Sequence, residues 1–222
     1  MASYSTIIKN GVILDGTGGS PKRADVGIAG DKIKKIGNLQ KDTAPIIIDA
    51  VSRFVAPGFI DLTTHSDTHW TLFSQPTQES FIRQGVTTIF GGHGGSSLAP
   101  LVMAENIEAI QKWVDISKIN INWQSMAEFL SELDQHKIGV NFGTFVGYGT
   151  LRRGVLGNQT RPAQLNEISQ LQFLAESAIK DGAFGISTNL GTAHENSATN
   201  EEITEIMKVA KYFKVPVSHH LE

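Results

Sequence analysis

The sequence predicts an α/β protein: a partial (β/α)8 barrel preceded by a small β module. Three observations carry this reading. Residues 5–56 form short strand-like runs punctuated by turn residues, with no helical stripe. From Pro57 onward, β-type runs alternate with longer amphipathic segments, the pattern of a parallel sheet whose crossovers are helices. Between the two, an apolar run entered through Pro57-Gly58 ends on a polar tip bearing His65 and Asp67. A barrel strand delivers reactive side chains to its carboxyl end in this way.

In the β module, residues 6–16 read as a strand broken at Asn10-Gly11, since Asn-Gly is a strong hairpin signal. Val26–Ala29 and Lys32–Ile36, separated by Gly30-Asp31, predict a second hairpin, and Pro45–Ala50 a further strand. In the α/β part, strands are expected at Phe59–Leu62, Val86–Phe90, Val140–Val146, Ala183–Ser187 and Val215–Ser218. Helices are expected near Gln75–Gln84, over Ala104–Val114 and Ser125–Gln135, over Ala163–Asp181, and over Asn200–Phe213 with Asn200 as its N-cap. Leu165, Ile168, Leu171, Leu174, Ala175 and Ala178 give the fourth of these its stripe. The organisation is thus a small β-sandwich module over residues 1–56 and the first five strand–helix units of a barrel over 57–222. Eight units need about 250 residues, so the chain reads as the N-terminal part of a longer protein.

Composition narrows the function classes. A net charge of −3, without a Lys/Arg-rich run, argues against nucleic-acid binding. The lack of cysteine excludes disulfides and thiolate metal ligands. No apolar run approaches ~18 residues, so a membrane span is not expected, and residues 1–5 lack the basic and apolar regions of a signal peptide. The expected location is cytoplasmic. The Gly91–Gly95 loop matches neither of the glycine patterns that cradle nucleotide phosphates.

Five blocks in order carry a family resemblance: Pro57–Asp67; Gln84–Thr88 leading to Ser97–Leu101; Val146–Arg152 with Val155–Gly157; Arg161–Ala163; and Gly182–Thr188. Together they resemble the N-acyl-D-amino-acid deacylases (D-aminoacylases) of the amidohydrolase superfamily. The resemblance implies a TIM-type metallo-dependent hydrolase barrel, one or two zinc ions, and hydrolysis of a non-peptide C–N amide bond in a small N-acyl amino acid substrate. Zinc bound by imidazoles would lower the pKa of its water towards 7. The chain departs from the family pattern at Thr63, Gly94, Tyr148 and Thr192, where the family has His, Cys, His and Tyr. A non-catalytic homologue serving binding or assembly is therefore the alternative reading.

On this resemblance His65 is the first candidate metal ligand. His219 and His220 follow on the fifth strand, where neighbours point to opposite faces, so one of the two faces inward; the resemblance favours His219. His93 is the candidate that replaces the missing Cys, with a plain loop histidine as the alternative. Asp67 is the candidate catalytic carboxylate, orienting a ligand histidine, with a turn cap as the alternative. Thr192 and Ser187 are the candidate substrate-binding residues. His69 is expected outside the site, Trp113 and Trp123 in the core, and His136 and His194 at the surface. Five strands of eight leave open edges, so self-association is expected.

Overall fold

The computed structural model describes residues 3–103, 106, 109 and 120–221. The helix expected over 104–114, with Trp113, lies outside these except for Asn106 and Ala109. The chain divides into two compact units, Met1–Gly58 and Phe59–Glu222.

The first unit is one mixed sheet of β1 (Thr6–Ile13), β2 (Lys22–Ala29), β3 (Lys32–Gly37), β4 (Ile46–Asp49) and β5 (Phe54–Val55), in the order β3-β2-β1-β4, with β5 also on β1. The expected β2–β3 hairpin forms. The expected break at Asn10-Gly11 does not: β1 runs through it, and the pair instead makes a β-bulge on β2. Asn10 takes the left-handed conformation, at φ 64°, and donates its backbone N–H to Asp25 Oδ1 at 2.8 Å. Gly11 is needed because a Cβ would stand 2.6 Å from Val55 Cγ2. The Asn-Gly pair thus supplies a positive φ to a bulge rather than to a turn. Asp25 also accepts the backbone N–H of Leu39 at 2.8 Å, beside a small core of Tyr4, Ile7 and Leu39.

The second unit is a five-stranded sheet of β6 (Phe59–Asp61), β7 (Val86–Gly91), β8 (Asn141–Gly147), β9 (Gly185–Asn189) and β10 (Val217–His220), in the order β10-β9-β8-β7-β6. Every neighbouring pair is parallel. Among the described residues, the helices with defined bounds are α1 (Thr71–Ser74), α2 (Glu79–Ile82), α3 (Met126–His136), α4 (Tyr148–Leu156), α5 (Leu165–Lys180), α6 (Ala193–Asn196) and α7 (Asn200–Phe213). Sequential strands lie side by side with helical crossovers, the half-barrel pattern the sequence predicts.

The core lies between sheet and helices. Ile89, Val146 and Ile186 from successive strands meet Phe129 of α3, Leu151 of α4, Leu171 and Ala175 of α5, and Ile206 and Val209 of α7. Trp123 joins this core, as its apolar bulk requires, and satisfies its indole N–H on Leu98 O at 2.8 Å. Helix starts are chemically marked. Ser125 and Glu128 form a reciprocal capping box at α3.

Four expectations are corrected. The helix expected near Gln75–Gln84 is only the single turn α2, Glu79–Ile82; α1 lies before it, and Pro76 between the two has no N–H to continue a ladder. The N-cap of α7 is Thr199, not Asn200; its Oγ1 accepts the Glu202 N–H at 3.1 Å. His194 is not at the surface but buried at 5% exposure in α6. The last strand, expected over Val215–Ser218, is shifted to β10 (Val217–His220), with His219 and His220 on the strand as expected.

Candidate active site

Strand register sorts the side chains at the carboxyl ends. Phe145 pairs with Gly185, Val146 with Ile186 and Gly147 with Ser187; Ile186 then pairs with Val217, Ser187 with Ser218, Thr188 with His219 and Asn189 with His220. Paired residues share a face and successive ones alternate. Val146, Ile186 and Val217 face the helices. Ser187 and Ser218 therefore face the other way, into the concave side, together with Phe145. Phe90, Phe145 and Phe184 cluster on that side, with Phe90 and Phe184 rings 4.7 Å apart.

The loop after β7 closes over this side. It is rich in glycine because the backbone requires it: Gly92, Gly94 and Gly95 have φ of 74°, 61° and 73°. A Cβ on Gly92 would stand 2.0 Å from Phe145 O. Ser187 ties the loop down from below, donating its hydroxyl to Gly92 O and accepting the Gly95 N–H at 3.2 Å. Asp67 ties it from the side, accepting the Gly92 N–H at 2.6 Å.

His93 rides on this loop. Its ring packs on Phe145, with centroids 5.0 Å apart, and Nδ1 lies 3.3 Å from Ser218 Oγ. Its Nε2 is buried without a hydrogen-bond partner. Burial pushes the imidazole below its ordinary pKa, while the Asp67 charge raises it and His65 lowers it. Asp67 is 1% exposed, and burial pushes its carboxyl above the usual carboxylate range, against the opposing Gly92 and Thr68 N–H groups. Its Oδ1 has no partner. His65 stands beside His69, their ring centroids 5.9 Å apart, and its carbonyl accepts the His69 N–H at 2.9 Å. His219 Nδ1 lies 2.7 Å from Thr188 Oγ1, on the face of Val217. His220 lies on the face of Ser218.

The structure thus brings His93, Asp67, Ser187 and Ser218 together, with His65 close enough to act on His93 electrostatically. Thr192 stands apart as the N-cap of α6, its Oγ1 accepting the Glu195 N–H. Whether these donors suit a metal is answered by their spacing. Among the described residues no three His, Cys, Asp or Glu side chains gather closely enough to hold an ion. The donor set present does not close a metal site.

Sequence reasoning missed a buried network below the loop. Arg152 and Glu202, both 0% exposed, form an ion pair. Tyr148 donates its hydroxyl to Glu202 at 2.5 Å, and Arg152 also donates to Arg161 O at 2.6 Å and to Ser197 Oγ at 2.9 Å. Burial and the adjacent Glu202 raise the Tyr148 hydroxyl's pKa far above its ordinary value. The Thr199-x-x-Glu202 spacing was the available signal. It marks a helix start, but not that the carboxylate turns inward to an arginine. Glu195 was also missed. It is buried at 2% exposure and accepts the Asn189 N–H at 2.8 Å.

No protein-family model matches the chain. D-aminoacylase of Alcaligenes xylosoxydans xylosoxydans is 36% identical over 205 residues, which cover 92% of this chain and 42% of that protein. N-acyl-D-glutamate deacylase of the same organism is 31% identical over 204 residues, covering 92% and 41%. A crystal structure of D-aminoacylase, described as defining a novel subset of amidohydrolases, superposes with a TM-score of 0.84 at 32% identity, covering 98% of this chain and 45% of that one. The chain is a homologue of the D-aminoacylases. The N-acyl-D-glutamate deacylase of Bordetella bronchiseptica, complexed with zinc and a phosphonate mimic of the tetrahedral intermediate, superposes with a TM-score of 0.88 at 26% identity, covering 99% and 45%. A D-aminoacylase study describes a binuclear metal centre in that enzyme. The chain spans less than half the length of these deacylases.

Proposed function

We propose that this chain serves the hydrolysis of N-acyl-D-amino acids. Water adds to the acyl carbonyl carbon, the C–N bond breaks, the nitrogen leaves as the protonated amine of a D-amino acid, and the acyl group leaves as a carboxylate. The observation that carries the reading is the match to D-aminoacylase, 36% identical over 92% of this chain. The site geometry supports it: a polar, glycine-built loop sits over the carboxyl ends of parallel strands, where barrel enzymes place their chemistry.

In this reading Ser187 and Asp67 hold the loop, and His93 projects from it over an aromatic floor that takes the apolar part of a substrate. His65, His93 and His220 are this chain's share of donors for zinc; the expectation favouring His219 is corrected, because strand alternation sets His219 on the helix-facing side with Val217 and His220 on the concave side with Ser218. Zinc enters only through the relatives, and no step here runs through it, because the described donors close no site. Among the described residues no helix is long and apolar enough to cross a membrane, which accords with a small dissolved substrate and a cytoplasmic setting. The edge strands β6 and β10 are the surfaces proposed for self-association; Phe59 and Ile60 on β6 are exposed. Light scattering of the purified protein tests this, and a monodisperse monomer opposes it.

The deciding experiment measures amine release from N-acetyl-D- and N-acetyl-L-amino acids, with and without added zinc. Release from the D series alone is expected. A folded protein that releases no amine from either overturns the proposal. That outcome favours the second reading, a non-catalytic homologue, to which the departures at Thr63, Gly94, Tyr148 and Thr192 also point.

A further inference from the structure

Helix α4 begins without a cap of its own, and the loop that carries His93 supplies what is missing. The first N–H groups of a helix have no partner within it. Gly147, the N-cap of α4, has no side chain to offer one. Its own N–H goes to Ser97 Oγ at 3.0 Å. The N–H of Thr150, in the first turn, goes to Gly95 O at 3.1 Å. Two hydroxyls then bind the segments in both directions. Thr150 Oγ1 accepts the Ser97 N–H at 2.9 Å and donates to Ser97 O at 3.2 Å. Ser97 Oγ, besides accepting from Gly147, donates to Ala99 O at 2.7 Å. Ser97 is 0% and Thr150 3% exposed, so water does not compete for these bonds. Glycine permits the close approach: a Cβ on Gly147 would stand 2.4 Å from Gly95 O and 2.6 Å from Ser96 N.

We propose that Thr150 and Ser97 are positioning residues, which fix His93 over Phe145 by joining its loop to the start of α4. Gly92, on one side of His93, is held by Asp67 and Ser187. Gly95 and Ser97, on the other side, are held by α4. Only His93-Gly94 spans the interval, and His93 O itself accepts the Ser96 N–H at 3.3 Å. Each of the two hydroxyls makes one donation and one acceptance. Removing either leaves a buried backbone N–H unpaired, a cost that favours moving the loop. α4 is in turn anchored to Glu202 through Arg152 and Tyr148, so the loop is tied to that network. A side chain held between packed elements keeps one geometry, as a reacting group requires. That His93 serves deacylation rests on the function proposed above; its placement by Thr150 and Ser97 does not.

NMR of the full chain tests this by two readings: the His93 ring resonances, assigned with His93→Gln and displaced by the Phe145 ring, and amide hydrogen exchange. Thr150→Val removes the hydroxyl at similar volume. It should abolish most of the His93 displacement and lower protection of the Ser97 amide about tenfold, the loss expected of a buried hydrogen bond. Thr150→Ser keeps the hydroxyl and should restore both. Ser97→Ala is an independent arm, and should lower protection of the Gly147 amide about as much. Protection in α5 and β9 should stay at the wild-type level in every variant. A Thr150→Val protein that keeps the His93 displacement overturns the proposal. So does a Thr150→Ser protein that fails to restore it, or a loss of protection in α5 equal to that in the loop, which marks general destabilisation. Where the wild type releases amine from N-acetyl-D-amino acids, Thr150→Val should lower kcat more than it raises KM. A wild type without turnover counts against the proposed deacylation, and the His93 resonances still decide the placement.

Discussion

Two clusters of buried polar groups in the same α/β unit differ in how fully their hydrogen bonds are met. In the Arg152–Glu202–Tyr148 network both carboxylate oxygens and both terminal guanidinium nitrogens have partners, and only Arg152 Nε lacks one. In the loop cluster, Asp67 Oδ1 and His93 Nε2 are both buried and unpartnered. A satisfied network holds a fold in one arrangement, because every alternative strands a charge. Unpartnered polar atoms at strand ends are groups kept available for something else. The first cluster is scaffold, and the second is where chemistry is to be sought.

The largest test of that contrast is Glu202→Ala. It leaves the Arg152 guanidinium buried without its counter-charge, and thermal or urea unfolding should show a loss of about 3–5 kcal/mol. Loss of only a few tenths would place this network outside the scaffold. The next effect is in the pH dependence. The folded Glu195 carboxyl titrates at about 7 against an ordinary 4.5, so between those values the folded state binds its proton more tightly than the unfolded chain. Stability therefore falls as pH rises through that window. His194 opposes it: burial lowers its imidazole to about 4 from 6.5, so the unfolded chain takes up the proton first and stability falls as pH drops through that range. The two slopes offset each other in the wild type. Glu195→Gln removes one, and its stability relative to wild type should shift by up to about 3 kcal/mol between pH 4.5 and 7, read from urea midpoints at each pH.

Smaller effects follow. Thr199→Ala removes the N-cap bond of α7 and should cost about 1 kcal/mol in urea unfolding. Asp67→Asn keeps an acceptor for the Gly92 N–H and removes a buried charge, so stability should stay within about 1 kcal/mol of wild type. If the loop cluster is functional, the same variant should lose most of any deacylation, and unchanged turnover would count against that assignment. Glu79→Ala breaks an exposed pair with Arg83, at 65% and 75% exposure, and no change in melting temperature is expected.

Local chemistry carried much of the fold into the sequence. β-branched runs such as Val86–Phe90 marked strands, and the stripe through Ile168, Leu171 and Ala175 marked a helix that buries those residues. The sequence misled where one local signal has two tertiary uses. Asn10-Gly11 provides a positive φ, and only the register of β1 on β2 decides that it serves a bulge. Thr199 and Asn200 are both capable caps, and the chain direction into α7 selects Thr199. The α4 helix went unread because Gly149 and Gly154 weaken its local signal, while its burial against α5 and β9 sustains it.

The candidate site divides in the same way. By itself the sequence determined that His65, Asp67, His93, His219 and His220 would stand near strand ends, because strand–helix alternation fixes which ends those are. Only the tertiary structure decided that Ser187 and Asp67 are tethers for the loop and that Glu195 is enclosed by two glycines, because these roles depend on register and on space between segments distant in the chain, such as Gly95 and Gly149; the Thr192 cap, by contrast, follows a local Thr-x-x-Glu pattern.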